Sequence, residues 1–425
     1  MSGEIRRRVL GGISFRSLLA LAVLAVPALA AEYVVTPSGA DTNDGTRQAP
    51  FQSVGRGLAA LKPGDTLIIG PGVYRESSSL TVKGTKEQPV AIVGVAVTVQ
   101  KCPKCGTQSR PAAGGQGETP EADKCPKCGA QTQSDVAEPC IQAAGPDGLR
   151  VTDSTYVTVM GLKITGAKEA GVVISRCDRV TVEGCAIADN AKWGVRVSLS
   201  DHIKVGKCEI SGTSDGDGVY VSATEHPEVS DCKILKNAFC GVLVSGNAKE
   251  GGDGVVTGAT VSRNIISENG SKGGAAIRLE GVEKSTIENN MCDKNLSSGI
   301  ECVKGEAARA GSRNVLSGNV VRFLPGKGTC GMLFADGGTH IRLVQSMLTV
   351  GNGPAISVDE ASAKDFKSSY NFFPLEAGPV RLSWKGESMD FPRWQQVTGQ
   401  DADSHVGSPA SVPAPSAAEP PGKTN

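Results

Sequence analysis

The chain runs to 425 residues, 21% of them charged and only 4% aromatic, and its 44 Lys and Arg are matched by 44 Asp and Glu. That balance excludes a global basic field for nucleic acid and a strongly acidic character, and the length exceeds what one compact core usually encloses. The 54 glycines with so few aromatics suit tight corners around a thin aliphatic interior.

Residues 1–30 read as an export signal. Arg6, Arg7 and Arg8 precede an apolar stretch from Leu18 to Leu29, and Ala28-Leu29-Ala30 is a small-residue cleavage site. A single-span anchor needs about 20 apolar residues, more than this run supplies. The mature chain is therefore expected to be secreted or periplasmic, with no transmembrane anchor. Arg6-Arg7 followed by Val9-Leu10 loosely resembles a twin-arginine signal, and this stays open beside an ordinary secretory signal.

Residues 31–100 are expected to form an N-terminal cap and the first coils. Pro50 is placed to start a helix over 51–61, with Phe51, Val54, Leu58 and Leu61 on one face, and Pro63-Gly64 to end it. The earlier run Asp41-Thr42-Asn43-Asp44-Gly45 reads as an Asx-turn loop, with cation binding as the other reading.

Residues 101–138 form an inserted module. Cys102-Pro-Lys-Cys105-Gly and Cys125-Pro-Lys-Cys128-Gly are matching knuckles, separated by a Gly-, Pro- and Glu-rich loop from Thr107 to Lys124. Four thiolates in two close pairs can surround one Zn²⁺ tetrahedrally, and the glycine after each pair lets backbone amides turn toward sulfur. Such a site is closed, hence structural and not catalytic. A redox or disulfide arrangement and a metal-free module remain the alternatives.

Residues 139–406 carry the repeat that decides the fold. Gly148, Gly171, Gly194, Gly218 and Gly241 recur 23 or 24 residues apart, each leading an alternating stretch such as Val172-Val173-Ile174 or Val195-Arg196-Val197. The register resumes at Ala276, Gly299, Gly331 and Ala355 after two loop insertions. A fixed period of this size means a solenoid, and alternation of period two makes its unit a set of short strands. Each unit has three: from Gly171, Val172–Ile174, Val180–Val182 and Cys185–Ile187. The prediction is an all-β, single-stranded parallel β-helix with an N-terminal capping helix and an inserted zinc-knuckle module. Counting leading residues gives nine coils, a rod of roughly 40 Å.

Cys185, Cys208 and Cys232 fall at one place in consecutive coils, where Asn264, Asn290 and Ser346 stand later. This reads as an interior ladder of small residues. Of 13 cysteines the four in the knuckles leave nine, which cannot all pair. Phe391 and Trp394 are expected to cover the last coil. Residues 407–425, rich in Pro, Ala, Ser and Glu, read as a loose tail.

Stacking brings residues one period apart together. The corner before the first strand carries Lys192, Trp193, Asp215, Asp217, Lys236 and Phe239, and the adjoining outward row holds Arg150, Arg196, Tyr220, Arg278 and Glu301. The competing reading is a set of ordinary solvated corner residues, since Asp-Gly and Asn-rich corners are what tight turns select. The four histidines form no Ser/His/Asp or metal-type cluster in the sequence, so serine-type hydrolysis and a histidine-bound catalytic metal are not expected.

Both ends carry a resemblance. Thr36-Pro-Ser-Gly-Ala-Asp41-Thr-Asn-Asp44-Gly-Thr46, Pro50-Phe51, Gly64-Asp65-Thr66, Gly72-Val-Tyr74-Arg and, later, Trp384, Trp394-Gln, Thr398-Gly-Gln-Asp401 and Ser404 resemble secreted bacterial right-handed parallel β-helix proteins, the pectate-lyase-like and chondroitinase-B-like superfamily. The resemblance spans residues 32–409 and implies a right-handed helix acting on or binding an extended polysaccharide. In lyases of that superfamily Ca²⁺ neutralises a uronate and a Lys or Arg removes the C5 proton. By that resemblance Asp215 and Asp217 would hold Ca²⁺, Lys192 or Lys236 would act as base, and Arg196 would bind the carboxylate. Trp193, Tyr220, Phe239 and Arg278 would bind the sugar chain. This chain has fewer clustered aspartates than those lyases. A hydrolase would instead use a carboxylate pair such as Asp189 with Asp217, or Asp217 with Glu301. A non-catalytic, monomeric glycan-binding or envelope scaffold, its zinc insert docking a protein partner, is the alternative from another class. A periplasmic metal-delivery role predicts exposed thiol or methionine ligands, and the six methionines form no cluster in the sequence.

Overall fold

In the coil that follows Gly171, strands Ala170–Ser175, Asp178–Glu183 and Ala186–Ala188 put Val172, Ile174, Val180, Val182 and Ile187 inside. The next coil repeats this with Trp193–Ser198, Lys204–Gly206 and Glu209–Ser211. Pairing between coils is parallel and in register, Val172 on Val195, Val182 on Val205, Ile187 on Ile210. The computed structural model describes residues 30–109, 124–125, 127–324, 326–349, 351–375 and 378–408. The expected export signal and the tail past residue 408 lie outside them, as does most of the loop between the cysteine pairs. Among the described residues, no helix is long and apolar enough to cross a membrane.

Three sheets of twelve strands run the length of the rod, here called the first, second and third sheet in the order a coil visits them after its leading residue. Twelve, not nine, is the number of rungs, so the rod extends to about 55 Å at the usual interstrand spacing. In the first sheet the two coil strands that the count missed follow Ser77 and Arg381, which precede the residues paired to Leu149 and Ile356, and the twelfth strand, Glu387–Met389, folds back antiparallel on Leu382–Trp384. Neither missed strand is led by the Gly or Ala on which the count was based.

That glycine answers a demand for space. A Cβ on Gly171 would lie 2.5 Å from Ile187, and one on Gly194 would lie 2.3 Å from Ile210 and 2.6 Å from the Gly218 carbonyl. Ala276 occupies the same place in a coil whose third-sheet residue is the smaller Cys292.

Corners are turned by single left-handed residues. Between the second and third strands these are Gly184, Lys207 and Asp231, with φ of 60°, 51° and 57°. The amide that follows such a corner is satisfied by the ladder side chain of the next coil. Cys208 N donates to Cys232 Sγ, Cys232 N to Asn264 Oδ1 at 2.9 Å, and Asn264 N to Asn290 Oδ1 at 3.1 Å. The expected interior ladder is thus present, its residues all buried. Asn319 and Asn371 belong to it as well.

The N-terminal helix, α1 (Val54–Ala60), is shorter than expected. Phe51 is bridged to Val35, and Asp41 accepts the amides of Gln52 and Ser53 at 2.9 and 2.8 Å, which leaves Ser53 as the N-cap. Asp41 is therefore committed to the chain, and the Asx turn of this loop is made by Asp44, which accepts the Thr46 amide at 3.0 Å. Phe51, Val54, Leu58 and Leu61 are all buried. At the far end α2 (Phe391–Thr398) buries Trp394, edge-on to Trp384 with centroids 5.6 Å apart. The cysteine insert stands at a second-to-third-sheet corner, where Val97–Lys101 pairs antiparallel with Gln133–Ala137.

Candidate functional site

The outward side of the first sheet carries a row of side chains in register: Arg150, Val173, Arg196, Tyr220, Leu243, Arg278 and Glu301. Two residues on in each strand runs a second row, Ser175, Ser198, Ser222, Ser245 and Glu280. Two loop insertions fold onto this face. The loop after Val242–Ser245 contains a short turn, Ala248–Glu250, tied to the loop after Ser298–Val303 by a Lys249–Glu306 ion pair at 2.5 Å.

Glu250 reaches down from its loop to accept hydrogen bonds from Ser222 Oγ at 2.5 Å and Tyr220 Oη at 3.3 Å, and pairs with Arg196 Nη2 at 3.3 Å. Beside it, Arg278 donates Nε to Glu280 at 2.7 Å and Nη1 to Glu301 at 2.6 Å, and Ser245 Oγ donates to Glu280 at 2.8 Å. Asp217, Glu280 and Glu301 are all buried. Burial pushes the Asp217 carboxyl up to about 6, against the pull of a hydrogen bond from the Cys240 amide, and the charge of Glu280 adds to the rise. Arg196 Nε is buried with no hydrogen-bond partner, a donor still able to take an acceptor.

The sequence-predicted residues divide between this network and the solvated corner. Arg196, Tyr220 and Arg278 lie in the network, and Asp217 is buried near enough to feel the charges of Glu280 and Arg278. Tyr220 is only 6% exposed, stacked on Trp193 at 5.8 Å, so it supports the face from beneath. Trp193 also carries the Arg196 guanidinium at 4.8 Å and Lys192 Nζ at 5.7 Å. Lys192 pairs with Glu169 at 3.0 Å and its side chain is 45% exposed; Lys236, 69% exposed, stands 3.9 Å from Glu268. Asp215 pairs with Lys272 at 2.9 Å in solvent, whereas Asp217 turns inward to Cys240 N at 2.8 Å. The two aspartates therefore face different surroundings. Phe239 is half-buried at the corner.

Glu250 and Glu280 were not singled out from the sequence. Glu280 could have been, because it continues the outward alternation two residues past Arg278. Glu250 sits in an insertion that breaks the period, and nothing local marks it.

Cys102, Cys105, Cys125 and Cys128 form a cluster able to hold a metal ion. Cys102 Sγ lies 3.5 Å from Cys128 Sγ, Cys105 Sγ 3.5 Å from Cys125 Sγ, and Cys105 Sγ 3.6 Å from Cys128 Sγ. A disulfide needs about 2.05 Å; ligands at about 2.3 Å around a tetrahedral ion sit about 3.8 Å apart. Each knuckle closes the same way, Gly106 N to Cys102 O at 2.9 Å and Gly129 N to Cys125 O at 2.8 Å, with φ of 71° and 69°. Bonds from Thr107 pull the Cys105 thiol down to about 6.

One expectation fails outright. His202 and His226 do belong to a cluster of metal-ligating type, with Asp201. They are one coil period apart, so no local spacing reveals them.

A model of the Pel9A-like right-handed β-helix region matches residues 33–209, and a model of the periplasmic copper-binding protein NosD matches residues 197–352. No curated protein matches the sequence. Among solved structures, the GH136 lacto-N-biosidase from Eubacterium ramulus superposes with a TM-score of 0.57 at 12% identity, over 89% of this chain and 68% of that one. XylC with xylose superposes with a TM-score of 0.50 at 10% identity, over 88% and 86%. Alginate lyase from Paenibacillus sp. reaches a TM-score of 0.48 at 16% identity, over 78% and 95%. At such identities the likeness is one of fold. The chain is a right-handed parallel β-helix repeat protein, as the resemblance implied.

Proposed function

We propose that this protein is exported and acts on an extended glycan along the outward side of its first sheet, with Asp217 as proton donor for cleavage of a glycosidic bond. The observation that carries the reading is geometric: three carboxyls, Asp217, Glu280 and Glu301, lie buried along a face whose outward row holds Arg196 and Arg278 in register, and burial favours the proton on Asp217. An acid that keeps its proton into the near-neutral range can deliver it to a leaving oxygen. Water then attacks the anomeric carbon and gives its proton to a second carboxylate, for which Glu280 or Glu301 would serve, as the leaving oxygen departs with the proton from Asp217. Parallel rows repeating at one strand spacing suit a repeating polymer, and Arg196 Nε offers an unused donor to it.

Calcium-assisted elimination has weaker support. Its ligands, Asp215 and Asp217, face different surroundings, one paired with Lys272 in solvent and one buried, and its candidate bases Lys192 and Lys236 stand in solvent beside glutamates. The four-cysteine module would hold Zn²⁺ as a structural ion, its thiolates already near tetrahedral spacing. Export rests on the leader sequence, and the periplasmic description of the NosD model agrees with it.

A second reading, a non-catalytic glycan-binding scaffold, is favoured by the ion pairing of Glu280 and Glu301 with Arg278, which is a sufficient structural role. One assay separates the readings. The mature chain is incubated with neutral and uronate glycans, with and without Ca²⁺, and new reducing ends and ultraviolet absorbance are followed in parallel. Reducing ends without absorbance, lost in Asp217→Asn, support hydrolysis. Calcium-dependent absorbance would replace it with elimination. Binding without either product would establish the scaffold.

A further inference from the structure

Asp201, His202 and His226 lie at the corner between the first and second sheets, in adjacent coils. Asp178, Asp201 and Glu225 are bridged in succession along this corner. The two imidazoles stack with centroids 4.8 Å apart, and both direct Nδ1 at one atom, Asp201 Oδ1, at 2.9 Å from His202 and 3.0 Å from His226. All three donor atoms fall within 4.8 Å of one another.

We propose that Asp201, His202 and His226 bind a divalent transition-metal ion, at a site distinct from the four-cysteine cluster. Two imidazole nitrogens and a carboxylate are the donor set that suits zinc, nickel and copper and does not suit calcium or magnesium. Nitrogens at about 2.0–2.1 Å from an ion stand about 3.3 Å apart in a tetrahedral site. The ligand atoms already lie within 4.8 Å of one another, with each Nδ1 about 3 Å from Asp201 Oδ1.

A second observation points the same way. Asp178 Oδ1 is buried, accepts no hydrogen bond, and lies 3.7 Å from His202 Nδ1. Its other oxygen is held by Arg179. This leaves one carboxylate oxygen beside the cluster without a hydrogen bond, and a cation there would satisfy it. The site is reachable, since the two histidine side chains are 44% and 51% exposed. The stacking of coils sets the ligands side by side.

The test uses the full mature chain, first given one equivalent of zinc to fill the thiolates, then titrated with Co²⁺ and read by visible absorption and calorimetry. One further equivalent should bind, with weak d–d bands and no thiolate charge-transfer band. His202→Ala and His226→Ala should each weaken it at least tenfold, and Cys105→Ser should leave it unchanged. Both histidines are surface residues, and circular dichroism checks that the variants fold. Absence of a second equivalent, or one retained in the His202→Ala/His226→Ala double variant, would overturn the proposal.

Discussion

Asp217 and Cys240 hold the same place in neighbouring coils, and the Cys240 amide donates to the Asp217 carboxylate at 2.8 Å. The bond favours the charged acid, but burial outweighs it and raises the carboxyl from 3.8 to about 6. A folded-state value above the unfolded one means that the native protein binds the extra proton more tightly. The stability this contributes is fully present below about pH 4 and is lost as pH rises through 6. The effect is on the order of 3 kcal/mol at most. Urea unfolding at pH 4.5 and 7.5 should show the loss in the native chain, and Asp217→Asn should flatten it. An unchanged pH difference in the variant would place the titrating group elsewhere.

Gly194 and Ile210 make the second prediction. A methyl on Gly194 would sit 2.3 Å from the Ile210 side chain, so Gly194→Ala should cost about 1–3 kcal/mol through overpacking. The chain already contains the remedy, for Ala276 is accommodated where Cys292 replaces isoleucine. The Gly194→Ala/Ile210→Cys double variant should therefore be more stable than the sum of the single losses predicts. Additive losses in a double-mutant cycle would argue that the carbonyl of Gly218, and not the isoleucine, sets the requirement.

What could be read without coordinates follows the same physics. Alternation marks interior residues, and the leading glycine marks a place too narrow for Cβ; both are imposed once per coil and surface as a period. The four cysteines are legible because their knuckles are local. The Asp201–His202–His226 cluster was missed because His226 lies one coil away from the other two. Glu250 is less accessible still, since it reaches the face from an insertion whose path the repeat does not dictate. Comparing polar residues at the coil period would have found the histidines; no such comparison would have found Glu250.

The cysteine module should come apart without the rod. None of its described residues belongs to the continuous core cluster, and its base is the Val97–Lys101 and Gln133–Ala137 pair. Chelation, or Cys105→Ser, should shift the main melting transition by less than about 2 °C while exposing residues 97–137 to limited proteolysis, because only a local unit loses its cross-link. A large fall in the main transition would show that the metal site supports the coils as well.

Trp394 closes the opposite end of the core, and its indole Nε1 donates to Asp401 at 2.9 Å. The same carboxylate accepts from Asn371 Nδ2 at 2.9 Å and Ser404 Oγ at 2.6 Å, so one acid gathers three donors under the last rung. Trp394→Ala should cost about 3–5 kcal/mol by opening a cavity against Trp384. Asp401→Asn replaces an acceptor oxygen with an NH₂ group and should cost about 1–3 kcal/mol by leaving a buried donor unpaired. The two losses should also differ in kind. Removing the ring uncovers the final strand edges, so Trp394→Ala should self-associate in light scattering at concentrations where Asp401→Asn stays dispersed. Equal association in both would mean that the position of α2, and not the indole itself, protects the edge.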